Sequence, residues 1–169
     1  MEKLSYVLSA LAIVAVIIEL FCKNMKNVLK FELAGNMLVG ISYILVSGKS
    51  GALVCLTACV QVLINYYFSS RDKKIPLWVI ITHAVVFLIV NLLTFSAWYD
   101  VFTLIAAMLF VLGVAQSSAK YYRLIYGTNS MVWITYDILA KAHGNLVTHI
   151  VFFVVTGLAI IIRDMKNKK

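Results

Sequence analysis

Seven long apolar runs separated by short polar gaps organise the chain, at about residues 4–22, 31–47, 51–68, 75–95, 101–119, 124–140 and 144–162. Each is close to the roughly 20 residues a helix needs to cross the hydrocarbon core of a bilayer. Their apolar character is continuous, which excludes the strands of a membrane β-barrel, where lumen-facing positions alternate polar. The runs at 31–47 and 124–140 are the shortest and the most polar. The run at 4–22 is longer than a signal-peptide core, contains Glu19 and ends in Phe21-Cys22-Lys23 instead of a small-residue cleavage site, so it reads as a retained helix. The pattern therefore predicts an all-α integral membrane protein of seven transmembrane helices.

Composition agrees with that environment. Hydrophobic residues make up 63% of the chain, charged residues 13%, and there is a single proline; mean hydropathy is +0.95. A soluble domain could not cover its surface with so little charge, so the bilayer is the expected partner. Spans and short loops consume the length, and no second, soluble domain is expected. The net charge of +8 does not point to nucleic acid, because the basic residues sit in the gaps between apolar runs. With seven spans, Lys3, Lys49 and Lys141 fall on one side. On the other are Lys23, Lys26, Lys30, Arg71, Lys73, Lys74, Lys120, Arg123, Arg163, Lys166, Lys168 and Lys169. The positive-inside rule then places the amino terminus outside and the carboxyl terminus in the cytoplasm.

Shifting the chain by 93 positions aligns residues 36–54 with 129–147, with seven of nineteen pairs identical, among them Asn36/Asn129, Tyr43/Tyr136 and Gly51/Gly144. The same shift carries Tyr6 onto Tyr99 and Lys30 onto Arg123, and a shift of 92 carries Arg71-Asp72 onto Arg163-Asp164. These matches predict two three-helix repeats, residues 1–70 and 97–169, joined by a linker helix at 71–96. Because three is odd, the linker returns the second repeat to the orientation of the first, making the repeats parallel in a 3+1+3 order.

The stretches Gly40-Ile41-Ser42-Tyr43-Ile44-Leu45-Val46-Ser47-Gly48-Lys49-Ser50-Gly51 and Trp133-Ile134-Thr135-Tyr136-Asp137-Ile138-Leu139-Ala140-Lys141-Ala142-His143-Gly144 resemble bacterial inner-membrane proteins of the YgjV type. The 3+1+3 pattern also resembles the wider SWEET and PQ-loop transporter superfamily. That resemblance implies alternating access around a pocket between the repeats. The chain departs from the superfamily in having no Pro-Gln pair and in placing Pro76 before the linker helix, outside the first span of either repeat.

Polar side chains inside apolar runs cost free energy and ask for a reason. Glu19 and Glu32 are expected to be interfacial partners of Lys23 and Lys30, and Asp137 has Lys141 four residues on. Asn129, Trp133, Tyr136 and Asp137 share one face of the sixth span, and Asn36, Gly40 and Tyr43 the matching face of the second. Together these faces supply amides, hydroxyls and aromatic walls for a small polar solute, or they lock helices together as packing glue. His83 is expected near mid-membrane as a neutral hydrogen-bonding group. Gln61, Asn65 and His149 are further candidates for the same cavity. Cys22, Cys55 and Cys59 lack metal-ligand or disulfide spacing and read as packing residues.

No nucleophile–base pair, HExxH, GxSxG or phosphate-binding loop occurs, so neither an enzyme nor a cofactor is expected. The expected function is a transporter or facilitator of a small polar metabolite, sugar-, nucleoside- or amino-acid-like. The alternative is a non-transporting inner-membrane structural, assembly or sensing protein. A homo-oligomer is left open.

Overall fold

The computed structural model describes residues 2–45, 49–139 and 143–165. Among them are seven α-helices and no strand: α1 (Glu2–Leu20), α2 (Met25–Leu45), α3 (Lys49–Ser70), α4 (Leu77–Thr94), α5 (Val101–Val114), α6 (Ala119–Leu139) and α7 (His143–Ala159). They form two compact units, Met1–Ile75 and Pro76–Lys169. Three stretches, Leu53–Ser70, Leu77–Thr94 and Leu146–Asp164, are long and apolar enough to cross a membrane, and Ala10–Leu20 and Trp98–Val114 are shorter apolar helices.

Large apolar side chains cover the outside of the helices, while several polar ones are buried among an apolar core. In α4 the buried stripe is Val79, His83, Phe87 and Asn91, while Leu77, Trp78, Ile81, Val85, Leu92 and Leu93 point outward. The i, i+4 spacing of the buried set is one helix face. Polar groups inside and large apolar groups outside is the arrangement that hydrocarbon solvent favours.

In the first unit α2 packs against both α1 and α3. It starts at Met25, six residues before the apolar run, because the Asn24 side chain caps it by accepting from the Asn27 amide at 3.1 Å. Lys26 and Lys30 thus lie in the first turns of the helix instead of preceding it. The close approach of α2 to α3 requires Gly40, where a Cβ would stand 3.1 Å from the Cys55 Cβ. Past the end of α3, Asp72 adopts a left-handed conformation, φ 54°. The Asp72 amide donates to Ser69 O at 3.1 Å and the Lys73 amide to Phe68 O at 3.0 Å, the paired bonds that end a helix in a Schellman motif. Glu19 and Glu32 are both buried in this unit, each on the packed side of its helix.

In the second unit α4 packs against α5, and α6 packs against both α5 and α7. The expected fifth span, 101–119, is cut short: α5 ends at Val114, and α6 begins at Ala119 after Gln116-Ser117-Ser118. Ser118 O accepts from the Tyr122 amide at 3.0 Å as the new helix starts. Gly127 plays on α6 the part Gly40 plays on α2, since a Cβ there would stand 3.3 Å from Thr156 Cγ2 of α7. A π-helical turn, Ile160–Met165, continues α7 and carries Arg163 and Asp164.

Candidate functional site

The second unit brings together residues that lie on α6 and α7. Asp137, only 1% exposed, sets its Oδ2 at 2.6 Å from His149 Nδ1. At that distance one proton bridges the two atoms, either as an Nδ1–H donor to a carboxylate or as a carboxyl O–H donor to the ring nitrogen. The other carboxylate oxygen, Oδ1, is buried without a hydrogen-bond partner among the described residues. The His149 ring is stacked on Trp133, with centroids 5.3 Å apart and planes at 10°. Trp133 meets Tyr136 edge-on at 5.7 Å, Tyr136 meets Tyr99 at 5.9 Å, and His149 meets Phe152 at 6.0 Å. Four sequence candidates, Trp133, Tyr136, Asp137 and His149, thus share one site. The Lys141 expected beside Asp137 lies outside the described residues.

Above this site the chain between α4 and α5 is tied down by Asp100. Its Oδ2 accepts from the Ser96 amide at 2.7 Å, the Ala97 amide at 2.8 Å and the Ser96 hydroxyl at 3.1 Å. Burial pushes the Asp100 carboxyl up, but the three hydrogen bonds outweigh it and hold the group below the usual carboxylate value. The Thr103 hydroxyl lies 2.6 Å from Asp100 O and 2.8 Å from Asn91 Oδ1, while the Asn91 amide donates to Phe87 O at 2.8 Å. This buried network joins α4 to α5.

Asn129 does not join the aromatic cluster. Its Nδ2 donates to Ala106 O of α5 at 2.6 Å, a cross-helix bond of the packing kind. His83 keeps to α4, where Nδ1 donates to Val79 O at 2.8 Å.

A family model described as bacterial inner membrane protein, Imp-YgjV, matches residues 3–168. The chain belongs to that family. Comparison with curated proteins and with solved structures finds no match.

In the first unit of this Imp-YgjV protein the candidates behave differently. Asn36 is turned back on its own helix, donating to Glu32 O and to Glu32 Oε1, both at 2.9 Å. Gln61 and Asn65 are buried one turn apart on the same face of α3. The Tyr43 side chain lies outside the described residues.

Two ion pairs that sequence reasoning did not single out complete the picture. Arg123, in the first turns of α6, donates Nε to Asp164 Oδ2 at 2.9 Å and Nη2 to Asp164 Oδ1, a two-pronged contact. In the first unit Asp72 is paired instead with Lys26, one turn before the position that matches Arg123, at 2.9 Å, while the matching residue, Lys30, lies 5.8 Å from the centre of the Tyr66 ring. The signal was present in the alignment of Lys30 with Arg123 and of Asp72 with Asp164. What it lacked was the knowledge that each third helix ends beside the start of the middle one.

Proposed function

We propose that this inner-membrane protein transports or facilitates the passage of a small polar metabolite, with Asp137, His149, Trp133 and Tyr136 contacting the solute. The observation that carries the reading is the Asp137 carboxylate, buried in an apolar helix with one oxygen satisfied and the other unpartnered among the described residues. A carboxylate kept only to lock helices would be expected to have both oxygens bonded; one held for a ligand keeps an acceptor in reserve. Aromatic faces beside it suit a solute with apolar or cationic parts. The reading is non-enzymatic and needs no cofactor.

The proposed architecture is seven spans in a 3+1+3 order within the SWEET and PQ-loop superfamily, amino terminus outside. Support comes from the equal lengths of α2 and α6, 21 residues each. In each unit a basic residue in the first turns of the middle helix pairs with the carboxylate just beyond the third, Lys26 with Asp72 and Arg123 with Asp164, which points the same way. Reporter fusions at the two termini test the topology: activity on the same side for both would overturn it.

The transport reading is tested with cysteines placed at Tyr136 and Asp137 in a background lacking Cys22, Cys55 and Cys59. Reaction with a membrane-impermeant thiol reagent from outside is expected at one or both. Inaccessibility at both in folded protein would favour the second reading, a non-transporting structural or assembly protein. That reading draws on Asn36 and Asn129, whose amides are spent on the protein's own carbonyls.

A further inference from the structure

We infer that the Asp137–His149 site holds one monovalent cation at a time, a proton shared by the two side chains or the positively charged group of a solute, so that each expels the other. The inference deepens the transport reading and rests on it for its place in a cycle. As a binding site it stands on the geometry alone.

The argument is one of charge. With His149 protonated on both ring nitrogens beside the Asp137 carboxylate, or neutral beside the carboxylic acid, the pair, 2.6 Å apart, is neutral. Losing a proton leaves the carboxylate beside a neutral imidazole, a net negative charge in a site where Asp137 is 1% exposed, and gaining one leaves an uncompensated cation; both states are disfavoured by burial. Oδ1, unpartnered among the described residues, offers an acceptor for an ammonium or guanidinium group. If such a group binds there while the shared proton stays, the site carries a net positive charge. Neutrality returns only when the proton leaves to water: cation plus Asp⁻·HisH⁺ becomes Asp⁻·cation plus neutral His149 and a released proton. No electrons move. The ring faces of Trp133 and Tyr136 favour the positively charged group over a neutral one of the same shape.

No other described charge in this unit substitutes for the incoming cation. Arg123 is committed to Asp164, and it lies about 21 Å along α6 from Asp137. Arg163 is at the far end of α7, in the same π-helical turn as Asp164. On α4, His83 is bonded to Val79 O. Asp100 and Tyr99, at the α4–α5 connection, add negative or neutral groups near Tyr136. Lys141 and the His143 side chain lie outside the described residues.

The test uses full-length protein in detergent with Trp78→Phe and Trp98→Phe, leaving Trp133 as the only tryptophan. A protonated imidazole quenches a stacked indole more than a neutral one does, so Trp133 reports the charge on His149. The probes are guanidinium chloride and methylammonium chloride at low millimolar concentration, with urea as the uncharged counterpart of guanidinium and sodium chloride as the ionic-strength control. At least one organic cation is expected to brighten Trp133 and release close to one proton per protein into weakly buffered solution. Its apparent affinity should weaken about tenfold per unit of acidification where the proton competes. Asp137→Asn should remove both responses, and His149→Gln should retain cation-induced thermal stabilisation but lose the Trp133 brightening, because no imidazolium is left to discharge.

Binding of a cation without proton release, an equal response to urea, or undiminished Trp133 brightening in His149→Gln would each overturn the inference. So would silence to both cations in protein whose Trp133 still dims on acidification. Should Asp137→Asn fail to fold, the proton count on the parent protein decides. Proton release without uptake into proteoliposomes would uphold the exchange site and overturn the transport reading; uptake without proton release would do the reverse.

Discussion

Removing the Arg123 guanidinium should be among the most damaging single changes at the carboxyl end of the second unit. The Arg123 and Asp164 side chains are only 4% and 7% exposed, and the guanidinium reaches both carboxylate oxygens. Arg123→Leu leaves Asp164 buried without its countercharge, which costs about 3–5 kcal/mol, and Asp164→Leu does the same to the cation. The double variant removes both charges together and should recover most of that loss, since an apolar pair of similar volume is often neutral against a buried ion pair. The Lys26–Asp72 pair is the internal control. Its side chains are 39% and 85% exposed, so Lys26→Leu should cost no more than about 1 kcal/mol. The four variants and the parent would be unfolded by denaturant titration in detergent, with helicity and size checked beforehand. If Arg123→Leu costs under about 1 kcal/mol, or if the double variant is as unstable as the sum of the singles, the reasoning from desolvation fails.

Three further outcomes follow from particular contacts. Asn129→Ala should cost more than Asn36→Ala in the same unfolding assay, by about 0.6 kcal/mol and at most about 1.7, because only Asn129 reaches across to another helix. The Asp100 carboxyl is held below its unfolded value, so its contribution to stability is full above about pH 3.8 and is lost as pH falls through the lower folded value; Asp100→Asn should flatten that acid limb of a stability–pH curve. Gly40→Ala should destabilise by about 1 kcal/mol because the Cys55 Cβ belongs to a neighbouring helix that must move, whereas Gly157→Ala, with nothing within 4 Å, should stabilise by up to about 1 kcal/mol through helix propensity.

Hydropathy located the helices but misplaced their ends, for a physical reason. It reports where lipid is tolerated, whereas a helix begins where its first amides are capped; Asn24 was the signal for α2, and the basic turn after it concealed the start. The polar residues Gln116–Ser118 carried enough information to stop α5 at Val114, but the apolar Ala115 and Ala119 on either side blurred it. Periodicity put Trp133, Tyr136 and Asp137 on one face of α6, where three of the rings and acids of the site are found. The partner of Asp137 was not legible, because His149 belongs to another helix and the nearest sequence neighbour of opposite charge was Lys141. Asn129 shares the periodicity of that face and yet serves α5, since a helix face wide enough to hold four residues touches more than one neighbour.

The order in which the helices pack has a consequence for biosynthesis. The principal contacts within each unit run α1 to α2 and α2 to α3, then α4 to α5, α5 to α6 and α6 to α7, always between neighbours in the chain. Within each unit every helix after the first therefore finds a partner already made as it emerges from the ribosome, and the first, α1 or α4, waits only for the next one. Loop-closure entropy stays small at every step, because only short turns separate successive partners. The buried Glu19 and Glu32 of the first unit can be sheltered once α3 has been synthesised, well before α7 exists. A break engineered after Ile75, with the two pieces made as separate chains, would leave the chain-neighbour contacts of each piece intact.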